Sequence, residues 1–302
     1  MNIQRYFHCS FFFLLVMVGT ACTEQVEFSN NECKRQPSFL SNWGISPSKA
    51  FFSTSEKTMM GLVLLELQQS GPAKKVQHPT WRMGGWLGPI LISPDGHCFV
   101  APVPVVNVLN NPPENQNTIY RVDANSGEMK VFAKLPLSDT IPPTNPYGIL
   151  GFAYLCETNT LYVSSVQGSD RKTQRGIIYA LNAKTGEIID QIRGVDVLGM
   201  GISYMPGYRA LYLGSARSSD VWEVKLSAKG TFSGRMHLAF SLSMLGPRGD
   251  DKVRRIRFNQ YGAMQIYGVE FNFNLTAPTE KQETVYTFQW NENEARWVYQ
   301  LQ

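Results

Sequence analysis

Short apolar runs, broken by polar or Gly/Pro corners, recur along this chain at intervals of roughly 45–60 residues. Leu87-Gly88 leads into LISPDGHCFVAP, Leu150-Gly151 into AYLCETNTLYVSS, and Leu198-Gly199 into ISYMPGYRALYLGS. Each unit opens with a brief apolar strand, turns sharply, and enters a second strand that ends in a small residue. A hairpin then follows, TIYRVDANSGEMKVF in one copy and IIYALNAKTGEIIDQI in the next. Gly127-Glu128 and Gly186-Glu187 occupy the same place in the two turns. No stretch beyond the N-terminal leader sustains a 3.6-residue apolar period, so helices of any length are not expected. A small four-stranded sheet cannot bury both faces by itself and must stack on its neighbours. The pattern therefore predicts an all-β fold, a β-propeller of four-stranded antiparallel blades.

Five blades are legible in the sequence. The first runs from about Leu40 through Trp43-Gly44 and then through KAFFST, LVLLEL and AKKVQ. The others cover about 84–137, 146–193, 196–241 and 252–302. Many propellers close with six or more, which leaves open a sixth blade assembled from the termini. In the first four blades Gly44, Gly88, Gly151 and Gly199 follow the leading apolar residue, where strands crowd the central axis. The fifth blade places Arg254 there, within Asp250-Asp251-Lys252-Val253-Arg254-Arg255-Ile256-Arg257. Alternation along a strand sets Arg254 opposite to Arg255 and Arg257, so at least one guanidinium should reach the channel or its mouth. There it would hold an anionic group, or else close an internal salt bridge to Asp250, Asp251 or Asp196.

Insertions at Pro102–Asn117, Val166–Arg175 and Asn272–Glu283 fall between second and third strands. Those loops share a face with the connections between blades, and loops on a rigid scaffold are a usual place for function. Asn107 and Asn110 in the first insertion, and Arg171 and Arg175 in the second, are candidate ligand-binding residues. Trp81, Trp86 and Tyr147, in or near the blade connections, could stack on a sugar or peptide, whereas Trp222, Trp290 and Trp297 should pack between blades.

Only 17% of the chain is charged and the net charge is +4, without dense Lys/Arg clusters, which argues against a nucleic-acid partner. Residues 1–21 resemble a signal peptide: Arg5, an apolar run over Phe11–Val18, then Gly19-Thr20-Ala21 before Cys22. The run is short for a bilayer span. The junction resembles a bacterial lipoprotein signal, in which Cys22 carries the lipid, although Gly19 stands where Leu is usual. Residues 22–38 then form a tether and 39–302 a single propeller domain. Cys33, Cys98 and Cys156 fit no metal spacing; Cys33 in the N-terminal arm is a candidate tether of that arm to the body.

Catalytic signatures are missing: HExxH, paired CxxC, a Walker loop and GxSxG do not occur, and Tyr204 breaks the glycine pattern begun by Gly199-Met200-Gly201. SPDG-like turns, LYV-like strands and IYxxDxxTGE-like hairpins resemble exported propellers of the YVTN, NHL and SMP-30/gluconolactonase-like groups. The gluconolactonase-like resemblance implies a divalent cation such as Ca²⁺ held by Glu, Asn and Asp from inner strands. Asn145, Asp196 and Asp250 are the candidates here, but no acidic residue occupies the early inner strand of the second blade. The leading expectation is an exported, membrane-anchored monomer that binds a protein or an extracellular polymer, carbohydrate included. The alternative is a metal-dependent lactone or ester hydrolase.

Overall fold

Strand patterns of period two become five antiparallel sheets set around an axis, a five-bladed β-propeller. The computed structural model describes residues 34–300, except 57, 105–110, 140, 143, 206–207, 260 and 274–281. The first sheet contains β1 (Ala50–Ser53), β2 (Val63–Glu66) and β3 (Lys74–Val76). The second contains β4 (Leu87–Ile92), β5 (Cys98–Pro102), β6 (Thr118–Val122) and β7 (Met129–Lys134). The third contains β8 (Ile149–Leu155), β9 (Thr160–Ser165), β10 (Ile177–Asn182) and β11 (Ile188–Arg193). The fourth runs through β12 (Val197–Met205), β13 (Tyr208–Ser215), β14 (Asp220–Leu226) and β15 (Phe232–Ser241). The fifth runs through β16 (Lys252–Phe258), β17 (Met264–Val269), β18 (Thr284–Asn291) and β19 (Arg296–Gln300). Within each sheet the strands pair in sequence order.

Burial of sheet faces holds the blades together. Cys98, Val100, Tyr120 and Val122 of the second blade meet Leu64 and Phe52 of the first. Phe99, Ala101 and Ile119 meet Leu161, Val163 and Tyr179 between the second and third. Leu155 and Tyr162 join the third to Leu211 and Val224 of the fourth. Tyr212 and Val221 join the fourth to Ile266, Tyr286 and Trp297 of the fifth. Trp222 and Trp290 flank these interfaces as expected of packing residues. Among the described residues no such apolar cluster joins the fifth blade to the first.

The first blade departs from the sequence expectation. Phe39–Asn42 forms a helical turn, α1, rather than the start of an inner strand. Phe39 and Trp43 lie four apart, with ring centroids 4.4 Å from each other, and both pack on the buried Trp81. Gly44 ends the turn with φ 70°, the conformation of a helix C′ residue rather than an inner-strand glycine.

Three strands of the first sheet lie among the described residues, and their pattern says which places they take. Gly71 lies between β2 and β3 with φ 85°, as Gly127 and Gly186 lie between third and fourth strands with φ 74° and 81°. Hence β1 takes the place of a second strand, and Phe52-Ser53 with the following Thr54-Ser55 corresponds to Tyr162-Val163-Ser164-Ser165 of β9. Among the described residues the innermost place of the first blade is vacant.

The four inner strands that are present approach closely. A Cβ added at Gly199 would sit 2.4 Å from the backbone carbonyl of Arg254 on the next blade. Gly199→Ala therefore forces β12 and β16 apart. It should destabilise the fold by about 1–3 kcal/mol in denaturant titration, and an unchanged midpoint would contradict this packing.

Candidate functional site

The vacancy and the four inner strands enclose an axial cavity of about 490 Å³. Ser53 and Thr54 line one side, Gly88 and Ile90 the next, and Arg254, Arg255 and Arg257 another. Tyr147 and Phe271, from a blade connection and a second-to-third-strand loop, place its mouth on the loop-rich face. Tyr147 is 5% exposed and its ring lies 5.3 Å from that of Phe271. Burial pushes its hydroxyl up to about 12, with Arg254 acting in the opposite sense, so the phenol stays neutral at physiological pH.

Register settles the arginine run. β16 pairs with β17 through Val253↔Gly268 and then Arg255↔Tyr267, so Arg254 is the extra residue of a β-bulge. β8 and β12 carry the same irregularity, with Leu150 and Leu198 unpaired. Arg254 thus corresponds to Leu150 and Leu198, and it is Arg255 that corresponds to Gly151 and Gly199. This corrects the alignment expected from sequence, which did not allow for a bulge.

After the bulge, Ile256 turns toward the fourth blade while Arg255 and Arg257 share the opposite face. Both lie against the ring of Tyr267, at 5.0 and 5.5 Å. Arg254 and Arg255 contact Glu283 at 3.2 and 3.1 Å, a carboxylate other than the three expected. Burial lowers Arg255 from the usual guanidinium range, with Glu283 opposing the shift. Arg257 has no carboxylate partner among the described residues. Glu270 also lines the cavity, so three guanidiniums face two carboxylates and the excess is positive.

Other candidates serve the scaffold. Asp196 is buried, accepts from the Ser169 hydroxyl at 2.5 Å and the Gly176 amide at 2.9 Å, and pairs with Arg217 Nε. Arg217 continues to the carbonyls of Asp170 and Thr173, and so clamps the 166–176 loop. Arg217 was not anticipated, because its partners are backbone oxygens that no motif announces. Asn145 Nδ2 holds the Val166 and Ser169 carbonyls at 2.9 and 2.8 Å.

Asp251 is engaged by Arg248 and by the Tyr286 hydroxyl. Burial raises its carboxyl, but those partners outweigh burial and hold it below the usual range. Asp250 is exposed two residues before β16. Arg171 and Arg175 are exposed on the clamped loop, where Arg171 Nε reaches the Asn272 carbonyl at 3.3 Å. Trp86 is half-buried, its backbone amide held at 2.7 Å by the Asn111 side chain. Trp81 is 0% exposed and donates to the Gly127 carbonyl, so it stacks on nothing external. Asn107, Asn110, Cys22 and Cys33 lie outside the described residues. Cys98 is a buried free thiol and Cys156 is disulfide-bonded.

A gluconolactonase-like cation does not fit these residues. Asn145 Nδ2 donates to two loop carbonyls while its Oδ1 accepts from the Tyr147 amide, Asp196 is committed to Arg217, and the arginine face would repel a cation. Among the described residues no three His, Cys, Asp or Glu side chains converge on one point.

No family model matches the chain, and no curated protein matches it. Among solved structures it is similar to a chain of a nidogen/laminin complex, at 12% identity and TM-score 0.44, covering 76% of this chain and 82% of that one. It is also similar to hydrazine synthase of Kuenenia stuttgartiensis, at 10% identity and TM-score 0.46, covering 84% and 81%. A luciferin-regenerating enzyme matches at 13% identity and TM-score 0.44, covering 75% and 70%. These neighbours are β-propeller proteins. The likeness is one of general architecture and carries no activity across.

The clamp gives a direct test. Asp196→Ala removes the carboxylate shared by Arg217 Nε, the Ser169 hydroxyl and the Gly176 amide. It should cost about 1–3 kcal/mol and speed hydrogen exchange across residues 169–176. Exchange unchanged in that loop would show that Asp196 does not hold it.

Proposed function

We propose that this chain is an exported binding module that captures a protein or an extracellular polymer on its loop-rich face. It is held at a membrane through a lipid on Cys22. The observation that supports binding is the axial cavity, whose mouth joins aromatic walls to an excess of guanidinium charge. A concave site whose walls mix apolar and polar surface with a few placed charges suits a ligand. The 166–176 loop, held by the Asp196–Arg217 pair and Asn145, meets the cavity lining where Arg171 Nε donates to the Asn272 carbonyl, so this neighbouring surface loses little ordering entropy on association. The positive excess favours an acidic partner and speeds its encounter. The leader ahead of Cys22 supports export and anchoring.

Two variants test the two halves. Arg171→Glu/Arg175→Glu reverses charge on the exposed loop and should reduce partner recovery from a cell-envelope extract about tenfold or more. Recovery equal to the parent would remove that loop from the binding surface. Cys22→Ser should move the protein from the membrane fraction to the soluble fraction, and an unaltered partition would remove the anchor.

A further inference from the structure

The inner place of the first blade, which no described residue fills, is shaped like a strand. β1 pairs with β2 along one edge only, through Ala50↔Glu66, Phe51↔Leu65, Phe52↔Leu64 and Ser53↔Val63. The Leu67 amide donates to the Lys49 carbonyl, which fixes the alternation of the ladder. Residues 51 and 53 bond to β2, and the N–H and C=O of Phe52 turn the other way, toward the axis. In the second and third blades that edge is covered, Phe99 facing Leu91 of β4 and Tyr162 facing Ala153 of β8. In the first blade no described residue covers it, and the cavity lies there instead. Thr54 Oγ1 donates across the gap to the Gly88 carbonyl at 2.8 Å, a contact that an inner strand would otherwise intercept.

We propose that this place accepts an extended acidic segment of a partner protein, which adds to β1 as the missing inner strand. This deepens the binding reading above and rests on it. Two faces of the slot set the chemistry. Toward the fifth blade stand Arg255 and Arg257, two apart on one face of β16, with Tyr267 behind them. Toward the second blade stands the apolar Ile90, which packs against the same core as Phe52. Side chains of an added strand alternate between those walls, and acids at every second position repeat at about 6.4–6.8 Å. Residues two apart on β16 repeat at the same interval, so acids on one face meet the guanidiniums while apolar residues on the other meet Ile90. Phe51, 43% exposed, lies at the rim on the arginine side.

The chain's own α1 is a poor occupant. Phe39 and Leu40 are fully buried, and the Phe39 amide is bonded to the Ala124 carbonyl, so entry would dismantle that packing. An anionic polysaccharide would meet the arginines but offers no ladder to Phe52. Main-chain pairing plus alternating side-chain pockets is the usual basis of strand addition.

The experiment uses the full chain and a blocked hexapeptide alternating aspartate and valine, measured by calorimetry. The parent should bind it, and Arg255→Glu/Arg257→Glu should weaken binding about tenfold or more. Both arginines sit outside the apolar clusters, and circular dichroism confirms that the variant is folded. The same peptide N-methylated at alternate residues keeps its charge but loses ladder donors, and it should bind about tenfold more weakly or not at all. Equal affinity for the methylated peptide, or a response reproduced by a sulfated polysaccharide alone, would overturn strand addition. Peptide binding that survives Arg171→Glu/Arg175→Glu while partner recovery also survives would discard the loop surface and keep the slot. No peptide binding with normal loop-dependent capture would do the reverse.

Discussion

The fold depends on the close side-by-side approach of inner strands around one axis. Each sheet is too small to hide its own faces, so its stability comes from flanking sheets. That demand reaches the backbone at Gly199 and Gly214, whose added Cβ atoms would meet Arg254 and Val253 of the next blade. Four consecutive sheets satisfy it with apolar side chains, and the first sheet seals against the second. The seam between the fifth and first blades is different in kind, because its fifth-blade wall presents Arg255, Arg257 and Tyr267.

Polar groups on the loop-rich face follow from that ring. Loops that leave a blade edge carry backbone groups with no ladder, and side chains must satisfy them. Asp196, Arg217, Asn145 and Asn111 all do this, which is why Asp196 and Asn145 looked like ligands in the sequence yet hold main-chain atoms in the structure. The arginines on β16 have no comparable task. Their only carboxylate contacts among the described residues are those of Arg254 and Arg255 with Glu283.

Blade number and strand order were legible because two-residue alternation and the turn glycines Gly127 and Gly186 repeat openly. The first inner strand was misread for a local reason. Leu40-Ser41-Asn42-Trp43-Gly44 scans as a short apolar run with glycine, but Phe39 and Trp43 sit one helical turn apart and Gly44 can cap that turn. The bulge at Arg254 was invisible too, since an extra residue changes facing without changing composition. Arg217 was missed because a guanidinium that binds carbonyls leaves no partner residue type to search for. Trp81 was assigned to a surface on its position in a connection, whereas its indole reaches inward to Gly127.

Among the described residues, the unfilled place beside β1 is what separates the first blade from the other four, and amide exchange of Phe52 in the isolated full-length protein reads it most directly. With the inner place empty, the Phe52 N–H should exchange orders of magnitude faster than the Phe99 and Tyr162 amides, which face β4 and β8. Protection of Phe52 equal to theirs would mean that a strand already lies there, and the account of an open first blade would be wrong.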